Sequence, residues 1–356
     1  MASVDYKREL KDLIDIVVGE NGSDLHLSTG SHPIVRVTGS LIPLIKKPLL
    51  TNEDVDGFAK ALMSDQKYDQ YMKTKEVDFS YSHADGIRFR GNGFFQSGNQ
   101  AIALRLIPNV IRTVEELGLP PILESFVQRP QGFFLCVGPV GQGKSTTLAA
   151  MVDIINTTRS EHIVTIEDPI EYIYPQKKAL IVQREVGVDT ESFEVALNSA
   201  FRQDIDVILV GEMRNAETIA TAVTAAETGH LVLSTLHTNN AAQTIDRIID
   251  SFPAAQQDQI RVQLAGSLAG IFSQRLIPKI SGGLAPAYEL LINNNAVANL
   301  IRESRTHEIQ TLIETGLEHG MIDMNRSLAQ MVKDGVITVE NAFAYSVNPK
   351  GLERLM

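Results

Sequence analysis

Apolar residues recur at helical spacing near the beginning of the chain. Leu10, Leu13, Ile14, Val17 and Val18 form one stripe, which predicts an amphipathic helix over residues 5–18. Short extended segments punctuated by Gly, Pro and Ser follow, interrupted by a second helical stretch. The predicted strands are residues 24–28, 34–38, 78–82, 86–95 and 101–107, and the helical stretch is residues 54–71. This order predicts a small α+β domain over residues 1–107.

Proline is frequent in the next segment, at Pro108, Pro120, Pro121 and Pro130. Because proline fixes φ and removes a backbone donor, such a stretch rarely lies inside a sheet. We therefore predict a linker with one short helix over residues 108–130.

The pattern changes after the linker to short, nearly continuous apolar runs. They are residues 133–137, 163–166, 207–210 and 231–233. Strands buried on both faces have this appearance, and they are typical of parallel sheets covered by helices. We predict an α/β domain over residues 131–285. The remainder, residues 286–356, is predicted to be a small helical region with helices near 296–302, 309–318 and 324–333.

Composition narrows the class of protein. The chain has 356 residues, of which 44% are hydrophobic and 21% charged, as in ordinary globular proteins. A net charge of −11 argues against nucleic acid as the main partner. A single cysteine, Cys136, excludes an intrachain disulfide and a four-cysteine zinc site. Neither a secretory signal nor a membrane span is recognisable in the sequence, so we expect a cytoplasmic protein without direct membrane insertion.

A phosphate-binding loop is the strongest chemical signal. Residues 138–145, Gly-Pro-Val-Gly-Gln-Gly-Lys-Ser, match G-x-x-x-x-G-K-[ST] between an apolar strand and an amphipathic helix. Lys144 is expected to reach the β- and γ-phosphates, Ser145 to bind Mg²⁺, and Thr146 and Thr147 to contact the α- and β-phosphates. The nucleotide-binding candidates are Gly138, Pro139, Val140, Gly141, Gln142, Gly143, Lys144, Ser145, Thr146 and Thr147.

Carboxylates follow two of the predicted strands. Ligands of open parallel sheets lie beyond the carboxyl ends of the strands. Gly211 occupies the usual Walker B aspartate position, so Glu212 is assigned the acidic role and Glu167 that of second carboxylate. Asp168 and Glu171 lie beside them, and solvated strand-end carboxylates are the alternative interpretation. The candidates for holding magnesium are Ser145, Glu167 and Glu212.

Two histidines, His230 and His237, flank the last apolar run. Their separation across one strand does not suit a tight metal pair. A neutral imidazole can report on a γ-phosphate by hydrogen bonding, so both are candidates, with a structural role as the alternative.

Several segments resemble motifs of a known family. GPVGQGKSTT, TIEDPIEY, DVILVGEMR and TAAETGHLVLSTLHTN resemble the Walker A, Asp box, atypical Walker B and His box of the type II/IV secretion ATPase superfamily. The segment SDLHLS, residues 23–28, is similar to the amino-terminal domain of that family. The segment AVANLIRE, residues 296–303, is similar to the signature of its twitching-motility, PilT-type branch, whose members are type IV pilus retraction motors.

The resemblance implies more than the residues do by themselves. It implies a PAS-like α+β domain, a RecA-like ATPase domain with a small helical carboxyl-terminal region, and a homo-hexameric ring. ATP and Mg²⁺ would lie between the two domains of one chain and be completed by a neighbour. Glu212 would be the catalytic glutamate, with Glu167 near the ion and the water. The ring would act on an inner-membrane pilus platform protein from the cytoplasmic face of that membrane.

Arginines of the amino-terminal domain are also implied as phosphate contacts. Arg88, Arg90 and Arg105 match the arginine-rich strands of the family, and surface arginines without that role are the alternative. An arginine on the γ-phosphate neutralises charge in the transition state. Phe95 and Ser97 stand where family members often have further arginines.

Other positions depart from the family pattern. Ala298 replaces an arginine of the tail signature. The family ties this signature to retraction and not to ATP turnover, so Ala298 bears on the coupling of turnover to retraction. Asn215 stands where aspartate is common. Val140 and Gln142 replace Thr and Ser at variable positions of the phosphate loop.

Four functions remain in competition at this point. A retraction motor is favoured over an assembly or type II secretion ATPase, because the latter usually carries a longer amino-terminal region and a four-cysteine zinc module. An accessory retraction paralogue stays open because of Ala298. A nucleotide-gated scaffold with little turnover is disfavoured by the intact motifs, and a nucleic-acid motor by the acidic balance.

Overall fold

The structure is a computed structural model that describes residues 5–37, 39–83, 86–108 and 110–356. The chain divides into two compact units, of which the first ends at Val110 and the second begins at Ile111. Each unit has its own hydrophobic core.

The described part of the first unit is an antiparallel sheet covered by helices. Its strand order is β3-β2-β1-β6-β5-β4. Its elements are α1 (Tyr6–Gly19), β1 (Gly22–Ser28), β2 (Ile34–Val37), β3 (Ser40–Pro43), α2 (Asn52–Leu62), α3 (Asp65–Thr74), β4 (Glu76–Ser82), β5 (Arg88–Gln96) and β6 (Asn99–Ile107). The predicted α+β character of this region is confirmed.

Local sequence explains the helix boundaries of this unit. The apolar stripe of α1 is buried, and the Asp5 side chain accepts from the Arg8 amide at its start. The predicted single helix over 54–71 is two helices, because Met63 is extended and Ser64 caps a new start at α3. Strand β3 was not predicted; the structure leaves it exposed at the edge of the sheet.

The second unit, described throughout residues 111–356, is built on a seven-stranded sheet of order β13-β12-β7-β11-β10-β8-β9. All neighbouring strands are parallel except β12 and β13. The strands are β7 (Gly132–Val137), β8 (His162–Glu167), β9 (Leu180–Glu185), β10 (Val207–Val210), β11 (Leu231–Leu236), β12 (Leu268–Pro278) and β13 (Leu284–Ile292). The four predicted apolar runs are β7, β8, β10 and β11. The parallel core fits the RecA-like domain that the resemblance implies.

Helices cover both faces of this sheet. Alternate residues of β7 enter different cores: Phe133 and Leu135 face one layer, and Phe134 and Cys136 the other. The helices are α4 (Leu123–Val127), α5 (Lys144–Thr158), α6 (Phe193–Ala200), α7 (Ala216–Glu227), α8 (Ala241–Asp250), α9 (Ala254–Ser267), α10 (Asn295–Arg302), α11 (Ile309–Thr315), α12 (Met324–Lys333), α13 (Val339–Tyr345) and α14 (Pro349–Glu353). In the described ranges, no helix has the length and apolar character needed to cross a bilayer.

The structure adds an observation at two of the predicted boundaries. From residue 111, the segment predicted as a linker is part of the second unit, because Val114, Leu119 and Leu123 are buried in the same core as Cys136. The predicted boundary at 285/286 falls inside β13, an edge strand whose Pro286 is compatible with that position. The three helices predicted in the tail correspond to α10, α11 and α12, of which α11 ends at Thr315 and not at residue 318. The domain limits proposed from the sequence stay predictions.

Candidate active site

The carboxyl ends of four adjacent parallel strands form the site. Strands β8, β10, β11 and β7 are neighbours in that order, so the residues that follow them lie along one edge of the sheet. Val137 leads into the phosphate loop, Glu167 ends β8, Glu212 follows β10 by two residues, and His237 follows β11. The topology thus brings together residues that are far apart in sequence.

The phosphate loop has the backbone that its glycines permit. Gly138, Gly141 and Gly143 have φ values of 144°, 77° and 80°, a region that favours glycine, and α5 begins at Lys144. A Cβ on Gly138 would lie 2.4 Å from the Gln274 carbonyl oxygen, so β12 leaves no room for a side chain there. The loop therefore combines free backbone N–H groups with the amino-terminal end of a helix, the arrangement that binds phosphate.

The Lys144 side chain is buried inside this loop. Its ammonium donates to the carbonyl oxygens of Gly138, at 2.8 Å, and Pro139, at 2.9 Å. It also lies 3.3 Å from Nδ1 of His237. Burial lowers the pKa of the Lys144 ammonium from its usual range. Oxygen acceptors of the loop thus hold the cation beside the amides that bind phosphate.

His237 connects Lys144 with Glu212. Because an ammonium can only donate, His237 Nδ1 is the acceptor and Nε2 carries the proton in the neutral ring. Burial, and then the Lys144 charge, lower the pKa of His237, which favours that neutral form. His237 Nε2 lies 3.5 Å from Oε1 of Glu212, and the other oxygen, Oε2, is 2.9 Å from Arg214 Nη2. We call these four residues the Lys144–Arg214 chain.

The two glutamates of the site have opposite electrostatic environments. The Arg214 hydrogen bond holds the pKa of Glu212 below its usual range. Glu167 is only 7% exposed, and burial raises its pKa to about 7. Its carboxylate accepts from Thr165 Oγ1 at 2.6 Å and from Gln183 Nε2 at 3.4 Å. Glu212 is therefore the carboxylate that is ionised at neutral pH.

Gly211 explains why the usual Walker B aspartate is absent. A Cβ at this position would lie 3.2 Å from the Ile166 carbonyl oxygen and 3.3 Å from Cα of Glu167. A side chain there would crowd the end of β8. Glycine permits close packing, and the next residue, Glu212, provides the carboxylate.

The threonines after the loop differ from expectation. The Thr147 hydroxyl is buried and donates to Oε1 of Gln274 at 2.6 Å, and the Thr146 hydroxyl shares a 2.8 Å hydrogen bond with the Tyr172 hydroxyl. Both side chains thus bind protein groups. Ser145 is partly buried in the first turn of α5, where a metal-binding hydroxyl is expected.

The structure does not bring His230 to its own phosphate loop. His230 precedes β11, at the opposite end of a six-residue strand, about 20 Å from the residues that follow the strand. Its Nδ1 contacts the Ala225 carbonyl oxygen at 3.0 Å, and its ring packs edge-on against Phe201. The alternative of a structural role fits this placement better than contact with a γ-phosphate.

The three candidate arginines lie on one face of the first unit's sheet. Arg88 and Arg90 alternate with buried Phe89 on β5, and Arg105 is the cross-strand partner of Arg90. Arg105 Nε donates to the carboxylate of Asp24 at 2.9 Å. Their contact with phosphate stays a prediction.

Sequence reasoning missed the supporting residues. Arg214 was part of a recognised motif but received no role, and Thr165, Gln183 and Gln274 were not singled out. Polar residues within otherwise buried strands were the available signal, as at Gln274, which is 3% exposed. Asn215, in contrast, is an ordinary helix cap, whose side chain accepts from the Thr218 amide at 2.9 Å.

A cavity of about 770 Å³ lies beside the loop. Gly143 and Thr146 form its loop side, and Leu276, Pro286 and Tyr288 are among the apolar and aromatic residues that line it. Its size and lining suit a planar organic group attached to a phosphate chain.

Cys136 lies two residues before Gly138, at the end of β7. It is fully buried, and burial raises its pKa to about 12. The thiol packs in the core and does not take part in the site.

Strand β13 holds the segment after His237 through a buried carboxyl. Glu289 is 3% exposed and accepts from the Ala241 amide, the first of α8, at 2.9 Å. Its cross-strand partner Ser273 donates to the Asn239 carbonyl oxygen at 2.9 Å. The hairpin of β12 and β13 thus fixes the position of the loop that carries His237.

We expect Glu289 to make stability depend on pH. Burial raises the pKa of Glu289 to about 7, above the usual 4.5, and outweighs the Ala241 hydrogen bond, which lowers it; Asp323 acts in the same direction as burial. The contribution of Glu289 to the free energy of unfolding is complete below pH 4.5. It is lost as pH rises through about 7, and the total loss is on the order of 3 kcal/mol. Chemical denaturation of wild type and Glu289→Gln across this range should give the smaller decline for the variant. Parallel profiles would contradict the prediction.

Comparisons with known proteins agree with this geometry. The family described as Type II/IV secretion system protein matches residues 8–283. The chain is 44% identical over 334 residues to the Type IV pilus retractation ATPase PilT of Pseudomonas aeruginosa, covering 94% of this chain and 97% of the relative. It is 41% identical over 353 residues to the Type IV pilus ATPase PilU of the same bacterium, covering 98% and 91%.

A solved structure gives the same result. The crystal structure of the pilus retraction motor PilT and bound ADP superimposes with a TM-score of 0.91 and 46% identity, covering 99% of this chain and 100% of that one. The predicted family and fold class are confirmed. The chain belongs to the type II/IV secretion ATPase superfamily, within its branch of PilT-type retraction ATPases, and is a nucleotide-binding, ATP-hydrolysing enzyme.

Proposed function

We propose that this chain is the motor ATPase that drives type IV pilus retraction, and hence twitching motility. The observation that carries the proposal is the Lys144–Arg214 chain, an assembled hydrolytic site, within a protein that matches a retraction ATPase from end to end. The chain spans nearly the whole length of that relative, so the likeness is not confined to the ATPase core.

Binding of ATP begins at the phosphate loop. Amides of the glycine-rich segment and the start of α5 surround the phosphates, and the Lys144 ammonium transfers from the carbonyl oxygens of Gly138 and Pro139 to phosphate oxygens. The base occupies the adjacent 770 Å³ cavity. The same lysine lies 3.3 Å from His237 Nδ1, so a shift of the ammonium toward phosphate changes its hydrogen bond to the His237 ring.

Hydrolysis uses the ionised glutamate. Glu212, kept anionic by Arg214, orients the attacking water and accepts its hydrogen bond. His237, neutral with its proton on Nε2, faces the same carboxylate and aligns it. Glu167, which Thr165 and burial hold in place, accepts from the Glu171 amide at 3.3 Å and so supports the loop after β8.

Magnesium fits the donors of the site. Ser145, Glu167 and Glu212 offer only oxygen, which a hard cation prefers. Within the described ranges, no group of three or more His, Cys, Asp or Glu residues is arranged to hold a metal alone. Ser145, Glu167 and Glu212 would hold the ion when the nucleotide is bound, and it would neutralise phosphate charge.

Assembly and location complete the proposal. We infer a ring of six copies that acts on an inner-membrane pilus platform protein, from the cytoplasmic face of that membrane. We propose Arg88, Arg90 and Arg105 as the arginines that contact phosphate during turnover. What supports the proposal is that the likeness to the PilT retraction motor structure covers 99% of this chain.

An accessory retraction motor is the second candidate. The chain is also similar over its full length to the pilus ATPase PilU, and Ala298 departs from the tail signature. Ala298 is 7% exposed in α10 and packs in the core, where an arginine would have to extend its charge to solvent. The departure at Ala298 bears on coupling to the pilus, since the residues of the Lys144–Arg214 chain are unchanged by it.

A deletion strain distinguishes these functions. We expect cells without this chain to carry more surface pili and to lose twitching, and we expect wild type, but not Glu212→Gln, to restore movement. Pilus counts by electron microscopy and colony expansion measure both. Bald cells would indicate an assembly ATPase, and hyperpiliated cells that still twitch would indicate the accessory motor.

A further inference from the structure

Two glutamines join the phosphate loop to strand β12. Oε1 of Gln142 accepts from the Leu276 amide at 2.7 Å, and Nε2 of Gln274 donates to the backbone carbonyl of Gln142 at 2.8 Å. Gln274 is 3% exposed, and its Oε1 accepts from the Thr147 hydroxyl. We call this pair the glutamine clamp. It ties the loop and the first turn of α5 to the same strand.

The end of β7 explains why the Leu276 amide is available. Strand β12 pairs with β7 only as far as Ser273 opposite Val137, where β7 gives way to the phosphate loop. Beyond that point β12 continues to Pro278 without a strand on this side. An unpaired amide at such an edge is unfavourable, and the Gln142 side chain takes the place of the missing strand.

The second bond acts on the orientation of a peptide group. In a trans peptide the carbonyl and the following N–H point in opposite directions. Because Gln274 holds the Gln142 carbonyl toward β12, the Gly143 N–H is directed away from β12. Gly143 has φ 80°, and a Cβ there would lie 2.9 Å from Gln274 Nε2, so the clamp packs directly against the glycine.

We propose that Gln142 and Gln274 are positioning residues that preorganise the phosphate loop and slow the release of ADP. The inference deepens the proposed function and rests on nucleotide binding at this loop. Where the family has serine, the side chain ends two carbon atoms earlier than that of Gln142 and does not span the distance to Leu276.

The test uses the full chain with the variants Gln142→Met, Gln142→Ser and Gln274→Met. Methionine keeps the length of glutamine but neither donates nor accepts strongly. Titration and chase of a fluorescent ADP derivative should show about fivefold weaker binding for both Gln142 variants and about thirtyfold for Gln274→Met, which loses two bonds. The change should appear in the dissociation rate, and KM for ATP should rise while kcat does not fall.

A matched glutamine provides the control. Gln176 makes an equivalent pair of bonds elsewhere, since its Nε2 donates to the Ile181 carbonyl and its Oε1 accepts from the Ile181 amide. Gln176→Met should lower the melting temperature without changing ADP affinity. The proposed role of the glutamine clamp is wrong if both Gln142 variants bind ADP like wild type. It is also wrong if Gln176→Met weakens ADP binding by the same factor. If Lys144→Ala also binds ADP like wild type, the assignment of nucleotide binding to this loop, and with it the proposed function, is wrong.

Discussion

Lys144→Ala is expected to abolish ATP turnover and to weaken ATP binding at least a hundredfold. The ammonium lies within the phosphate loop, where it donates to the Gly138 and Pro139 carbonyl oxygens beside the amides that bind phosphate. Charge-assisted hydrogen bonds contribute about 1.5–3 kcal/mol each, and a β,γ-bridging lysine makes at least two. Phosphate release and equilibrium binding of labelled ATP provide the measurements.

The folded state must be checked in the same experiment. Lys177→Ala is the matched control, because Lys177 pairs with Asp153 on the surface at 2.7 Å, and its loss should leave turnover within twofold. Thermal unfolding should show that the Lys144 variant is folded. Full turnover by folded Lys144→Ala would exclude the mechanism proposed above.

Glu212→Gln is expected to lower turnover by about a factor of a thousand while ATP still binds. The amide keeps the size of the side chain and can still accept from Arg214, but it cannot act as an ionised base toward water. Binding should change little, because Lys144 and the loop amides make the principal phosphate contacts. Single-turnover phosphate release and ATP binding separate the two effects.

A glutamate outside the site serves for comparison. Glu227 accepts from the Gln263 side chain at 2.7 Å at the end of α7, and Glu227→Gln should retain wild-type turnover. If wild type were as slow as Glu212→Gln, the chain would be a nucleotide-gated scaffold and not a motor.

The sequence identified the parts of the site that follow local rules. Lys144 and Ser145 were recognisable because a glycine loop between strand and helix has a fixed spacing. Glu212 and Glu167 were recognisable because they follow apolar runs that become adjacent parallel strands. These residues depend on a motif or on strand ends, which sequence patterns record.

The remaining parts depend on contacts across the fold. His237 is 93 residues from Lys144, and no local pattern indicates that its ring lies between Lys144 and Glu212. Gln274 is separated from Gln142 by 132 residues, and its strand was not predicted at all. Conversely, His230 was selected because it lies in the segment that resembles the family's His box, and the length of β11 separates it from His237.

The burial of Cys136 has a practical consequence. It is the only cysteine in the sequence, fully enclosed by the core, and its pKa of about 12 leaves almost no thiolate at neutral pH. The native chain therefore behaves toward maleimide dyes as a cysteine-free background. A cysteine placed at any exposed position becomes a unique attachment point for a dye, so the protein can be labelled for single-molecule fluorescence without first altering the β7 strand that leads into the phosphate loop.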